Sequence, residues 1–307
     1  MLFFMAKRIT INQQTYDTID VAFKKYCNHL IVQNLSKKTI QSYKSDFNLF
    51  CKVIDNTLPV KNLDTSLIDE FIVYMMQNTN RKITSINSSL RSIRAFVYYC
   101  FDYYNLPRFK IKMVKNQESH KPPYTDEEIE KLLEMPQSDS WTDYRSWAIV
   151  NYLISTGNRA STVINIKISD IDFNDGYIKL AHTKNKQAHT IPICEALNKV
   201  LKKYLSLWEH TQDDYLFPSV EGTQLGIRGM QCSIQRYNNA RGVTKTSLHL
   251  FRHTFARLYV LNGGDMAYLQ QLLGHSTLDM TRKYIRLYSV DLKHDVELKN
   301  PLNNFLK

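Results

Sequence analysis

Apolar residues recur at helical spacing through the first hundred positions. Ile19, Phe23, Tyr26 and Leu30 fall on one face and predict a helix over residues 16–32. Ser36 has the side chain of an N-cap and predicts a second helix running to residue 54, with Ile40, Tyr43, Phe47 and Phe50 inward. Asp64 predicts the cap of a third, with Ile68, Phe71, Ile72 and Met75 inward. A fourth spans residues 83–104 through Ile86, Leu90, Ile93 and Val97. Its other side offers Arg81, Lys82, Arg91 and Arg94, so the pattern predicts a four-helix domain over 16–104 with one basic side.

The period is lost over residues 105–123, which hold Pro107, Pro122 and Pro123 and predict an interdomain linker. Thr125-Asp126-Glu127-Glu128 has the form of a capping box opening a second domain. A helix over 141–156 follows, closed by Gly157. Three β-like pieces come next, at 166–173, 177–181 and 189–193, with the turn Asn174-Asp175-Gly176 between the first two. Helices resume near Glu195 and continue to about residue 298. The fold class is therefore mainly α with a small antiparallel β-sheet. The second domain covers 124–295 and leaves a tail, 296–307, ending in Leu302, Phe305 and Leu306.

Composition adds a partner to this outline. The 307 residues carry a net charge of +11. Residues 1–104 hold 13 Lys or Arg against 8 Asp or Glu, and residues 105–123 hold five against one, whereas the remainder is nearly balanced. A phosphate-gripping surface concentrates charge in this way, so the expected partner is double-stranded DNA rather than a membrane. Cys27, Cys51, Cys100, Cys194 and Cys232 are odd in number and form no CxxC pair, which argues against a disulfide framework or a zinc site. Most are expected to be buried. The short apolar start precedes Lys7 and Arg8, the reverse of a signal peptide's order. No apolar run approaches the roughly 20 residues of a membrane span, and the expected location is the cytoplasm.

Breaking and rejoining a phosphodiester without metal requires a nucleophile, cations for the non-bridging oxygens and a proton for the leaving oxygen. Guanidinium groups suit the second task because each donates bidentately to phosphate. A tyrosine serves the first when a neighbour takes its proton. The second domain offers these parts in order. Arg159 follows the Thr156-Gly157 turn, and Lys184 lies between the second and third β pieces. His249 and Arg252 stand three apart on one helical face. His275 follows Gly274, and Tyr284 comes nine residues later.

Four stretches carry a family likeness: Ser155-Thr156-Gly157-Asn158-Arg159, His249-Leu250-Phe251-Arg252-His253-Thr254-Phe255-Ala256, Leu272-Leu273-Gly274-His275-Ser276 and Thr281-Arg282-Lys283-Tyr284. Together with Lys184, eight residues before Pro192, they resemble the tyrosine recombinases, or phage integrases, over roughly residues 16–290. The resemblance implies a helical core-binding domain and a catalytic domain. It implies that Tyr284 becomes a 3′-phosphotyrosine while Arg159 and Arg252 hold the phosphate oxygens. Lys184 protonates the leaving 5′-oxygen, His249 assists proton transfer at the tyrosine or bonds the phosphate, and His275 orients the phosphate or its neighbours. No cofactor is implied, neither ATP nor metal. Four protomers would act on two DNA sites, typically to integrate or excise a mobile element.

The chain departs from the family pattern at Thr162, where an acidic residue is usual, and at Asn158, where an apolar one is. Tyr288 lies one helical turn beyond Tyr284, but the spacing from His275 favours Tyr284. The tail either packs on a neighbouring protomer or folds back on its own domain. The lack of an evident arm-binding domain before residue 16 leans toward a simple recombinase. Other classes compete. A catalytically inactive accessory factor or regulator would not need all six residues. A relaxing topoisomerase would not need the separate clamp domain, and a metal-dependent nuclease would need carboxylates that do not accompany the site.

Overall fold

The computed structural model describes residues 16–116, 122–180, 189–275, 277 and 281. The chain divides into two compact units, Met1–Ser119 and His120–Lys307.

In the first unit, α1 (Ile19–Val32) begins where the Thr18 hydroxyl accepts from the Val21 amide, three residues later than the apolar pattern suggests. Asp17, just ahead, is instead held by Lys25 at 2.5 Å and the Tyr104 hydroxyl at 2.6 Å. Ser36 caps α2 (Lys37–Phe50), which stops four residues short of expectation. The chain then turns back, and its Asn56 and Leu58 carbonyls accept from the first amides of α1. Asp64 caps α3 (Thr65–Gln77), and α4 (Ile83–Tyr104) ends at Asn105 in the left-handed region, φ +50°. The core is aromatic. Phe23 and Phe47 stack with centroids 3.7 Å apart, and Phe96 meets both edge-on. Truncating one such ring to Ala costs about 3–5 kcal/mol.

Two readings change here. Residues 105–116, the first part of the expected linker, pack on the helices. Leu106 and Ile111 are buried, Phe109 meets Phe101 edge-on, and the Asn87 amide exchanges two 2.9 Å hydrogen bonds with the Val114 backbone. The basic side also holds an acid, because Asp46 accepts from Ser89 and Ser92 while Arg81 donates to Ser89.

In the second unit, α5 (Asp126–Leu133) opens with the capping box between Thr125 and Glu128, and Glu128 also pairs with Lys245 at 2.6 Å. The helix α6 (Trp141–Thr156) runs through the core, where Trp147, Ala148, Ile149, Val150, Tyr152 and Leu153 are all buried together with Arg145, Ser146 and Thr156. After the short α7 (Ala160–Val163) comes a three-stranded antiparallel sheet in the order β1 (Ile171–Asp172), β2 (Tyr177–Leu180), β3 (His189–Pro192). Ile178 faces Ile191 across β2 and β3. The first strand is shorter than its apolar run. The Asp170 carboxylate accepts from the Lys167 amide and folds Ile168–Asp170 into a 3-10 turn, while Ile166 and Ile168 pair with the chain near Leu216.

Four helices follow: α8 (Glu195–Leu205), α9 (Ile227–Ala240), α10 (Leu248–Leu261) and α11 (Met266–Leu273). Residues 206–226 are not helical and tuck Leu216 and Phe217 into the core. The helical pattern extending to residue 298, and the tail, lie outside the described residues. Of the five cysteines, Cys27 and Cys100 are buried and Cys51 is half-buried. Cys194 and Cys232 are exposed, fewer buried than composition suggested. Among the described residues, no helix is long and apolar enough to cross a membrane.

Candidate active site

The site forms where the end of α6 meets α10 and the end of α11. Gly157 terminates α6 with φ +61°, a conformation open to glycine at little cost. A Cβ there would stand 2.4 Å from Phe255 Cδ1 and 2.9 Å from Leu273 Cδ2, so only a hydrogen fits between these side chains. The turn is braced by Asn158, which is buried and donates to the Tyr152 hydroxyl at 2.7 Å. This explains a polar residue where the family pattern has an apolar one: the buried phenol of α6 needs a partner. Arg159 then caps α7 at the rim, half-buried. Thr162 is buried, and its amide donates to the Arg159 carbonyl at 2.8 Å.

Arg252 projects from α10 into the junction and is 1% exposed. Its Nη1 donates to the Gly157 carbonyl at 2.9 Å, and its Nη2 donates to the Leu273 carbonyl at 2.7 Å and meets His275 Nε2 at 2.6 Å. The end of α6 and the end of α11, far apart in the chain, are thus fastened to one guanidinium on α10. His275 follows Gly274, which ends α11 with φ +59°. The His275 amide donates to the Gln270 carbonyl, the Gln270 side chain donates to the His275 carbonyl, and the ring's Nδ1 lies 2.9 Å from Thr281 Oγ1.

His249, one turn before Arg252, meets the His253 ring edge-on at 4.8 Å. Burial lowers the His249 pKa, and the positive charges of Arg252 and Arg159 lower it further. The same causes act on His275, with His249 adding to them, and push it down to about 4. Both rings are therefore neutral near pH 7, in a pocket made positive by two arginines. Such a pocket is suited to an anion, and a neutral imidazole in it is suited to accepting a proton.

Of the six residues marked in the sequence, the structure brings Arg159, His249, Arg252 and His275 to one place. Lys184, between β2 and β3, and Tyr284 lie outside the described residues. Sequence reasoning passed over three supports: the Gly157 and Leu273 carbonyls, which no side-chain pattern reveals, and Thr281. The position of Thr281, six residues after His275, was the available signal.

The description "Phage integrase family" matches residues 124–290, more than half of the chain, and "Phage integrase, N-terminal SAM-like domain" matches residues 23–101. The chain belongs to the phage integrase family. It is a tyrosine site-specific recombinase. A tyrosine recombinase of Pseudothermotoga lettingae is 28% identical over 277 residues, covering 86% of this chain and 92% of the relative. The tyrosine recombinase XerA of Pyrococcus furiosus is 32% identical over 230 residues, covering 73% and 77%. The fold is that of the Tn1549 transposon integrase in complex with circular intermediate DNA, with TM-score 0.76 and 18% identity over 92% of this chain and all of that one. It is also that of a lambda integrase tetramer bound to a Holliday junction, with TM-score 0.70 and 18% identity over 88% and 78%.

Proposed function

We propose that this recombinase cuts DNA by attack of the Tyr284 oxygen on a scissile phosphate and serves the integration or excision of a mobile element. The observation that carries the mechanism is the gathering of Arg159, His249, Arg252 and His275 from three separate segments around one positive pocket. The two guanidiniums stabilise charge on the non-bridging oxygens as phosphorus becomes pentacoordinate. Neutral His249 takes the phenolic proton as the Tyr284–phosphorus bond forms. Lys184 protonates the departing 5′-oxygen, and the 3′-phosphotyrosine preserves the bond energy. A 5′-hydroxyl from another strand then attacks phosphorus, restores the phosphodiester and releases the tyrosine.

Residues 16–104 and 124–295 would each contact double-stranded DNA, with four copies acting on two sites in the cytoplasm. The transposon integrase fold supports mobile-element work, and the lambda integrase tetramer supports the assembly.

A plasmid carrying two directly repeated copies of a site selected for binding tests this. With EDTA present and no nucleotide, the account expects the intervening segment to leave as a circle with both junctions sealed. Binding without any recombinant product would contradict the proposed reaction.

A further inference from the structure

The two arginines of the site are held in different ways. Arg252 is fixed by hydrogen bonds of its own guanidinium. The Arg159 guanidinium has no hydrogen-bond or ion-pair partner among the described residues, yet its charge reaches His249 and His275. Its aim therefore depends on the backbone that carries it. On one side, the Arg159 carbonyl accepts from the Thr162 and Val163 amides at 2.8 and 3.1 Å. On the other, the Asn158 amide donates to Thr156 Oγ1 at 3.3 Å, and the Asn158 side chain reaches back to the Tyr152 hydroxyl at 2.7 Å. Tyr152 is wholly buried and meets Phe217 edge-on at 5.8 Å, while Asn158 is 6% exposed, so water does not readily replace either partner.

We propose that Tyr152 and Asn158 are positioning residues for Arg159: their buried hydrogen bond fixes the peptide from which the guanidinium projects. The role deepens the proposed reaction and rests on Arg159 serving the scissile phosphate. A side chain without contacts of its own is directed by its Cα–Cβ bond, and the Asn158–Arg159 peptide sets that direction. Without the phenolic oxygen, the Asn158 side chain keeps a donor that has lost its acceptor in a nearly dry place. It must turn to find another, and the peptide leading to Arg159 turns with it. Neither Tyr152 nor Asn158 needs to touch DNA for this.

The test follows the His249 ring by NMR titration and cleavage by single turnover. Positive neighbours hold the His249 pKa down, so R159A should raise it. Y152F, which removes one oxygen and keeps the ring, should raise it by part of that amount. In the R159A background Y152F should raise it no further. On saturating nicked duplex, Y152F should form covalent adduct about tenfold more slowly, the usual worth of one hydrogen bond, with DNA affinity unchanged. N158A should match Y152F in both readings, and the double variant should be no slower than either, because each removes the same bond.

An unmoved His249 titration in Y152F would overturn the proposal, and so would cleavage at the wild-type rate. Equal shifts from Y152F with and without Arg159 would show that the hydroxyl acts through another group. Effects of Y152F and N158A that add would show that they share no bond. If Y152F does not fold, N158A carries the same comparisons. Absence of adduct from the wild-type protein would count against the attack by Tyr284, and the titrations would still decide whether this pair aims Arg159.

Discussion

The carbonyl of Gly157 accepts a hydrogen bond from Arg252 Nη1 at 2.9 Å, which makes the end of one buried helix the support for an arginine on another. The turn that stops α6 and the Arg252 guanidinium are therefore one structural unit. Distorting the turn should disturb the chemistry even though Gly157 has no side chain to contribute.

Replacing Gly157 with Ala tests that link. The left-handed backbone costs about 1–2 kcal/mol, and the Cβ collides with Phe255 and Leu273 for roughly 1–3 kcal/mol more. Denaturant unfolding of G157A should show a loss of about 2–5 kcal/mol. Strand cleavage should fall as well under conditions where the variant is still folded. A variant as stable and active as wild type would show that the turn adapts freely.

The histidines predict a pH dependence of stability. His275 titrates at about 4 in the folded chain, against roughly 6.5 when unfolded. Between those values the unfolded chain takes up a proton that the folded chain refuses. Stability therefore rises with pH across this window and is lost as pH falls from about 6.5 toward 4. His249 acts in the same direction. Thermal unfolding followed from pH 4 to 7 should steepen in wild type and flatten in H275Q. Equal slopes in the two proteins would contradict the lowered value.

The basic segment beyond α4 predicts a salt effect. Lys110, Lys112 and Lys115 lie where the chain leaves the first unit and packs back on it. Changing all three to Gln should reduce the slope of log affinity against log salt by up to about 0.9 for each phosphate these lysines neutralise. Fluorescence anisotropy over a salt series measures this. An unchanged slope would mean that these lysines do not touch the DNA backbone.

Much of this was legible in the chain because local chemistry and tertiary packing agree. Ser36, Asp64 and Thr125 cap the helices their side chains mark. Gly157 closes α6 as its sequence context implies. The misreadings arose where apolar residues served a purpose other than their local period. Ile166 and Ile168 look like a strand but brace the loop carrying Leu216, and Leu106 and Ile111 sit among prolines yet fill the first core. Four of the six site residues are seen together, on three segments whose meeting no spacing encodes. The hydrogen-bond partners of Arg252 were hidden because two are backbone carbonyls.

The central claim is that Tyr284 forms a covalent bond with DNA, and trapping that bond is its most direct measurement. A duplex nicked beside the cleavage point loses its short 5′-hydroxyl fragment after attack and cannot be resealed. Incubated with EDTA and run under denaturing conditions, wild type should give a protein–DNA adduct whose digested peptide carries the phosphate on Tyr284, and Tyr284→Phe should give none. An undiminished adduct from Tyr284→Phe, or none from wild type on DNA it binds, would contradict the account.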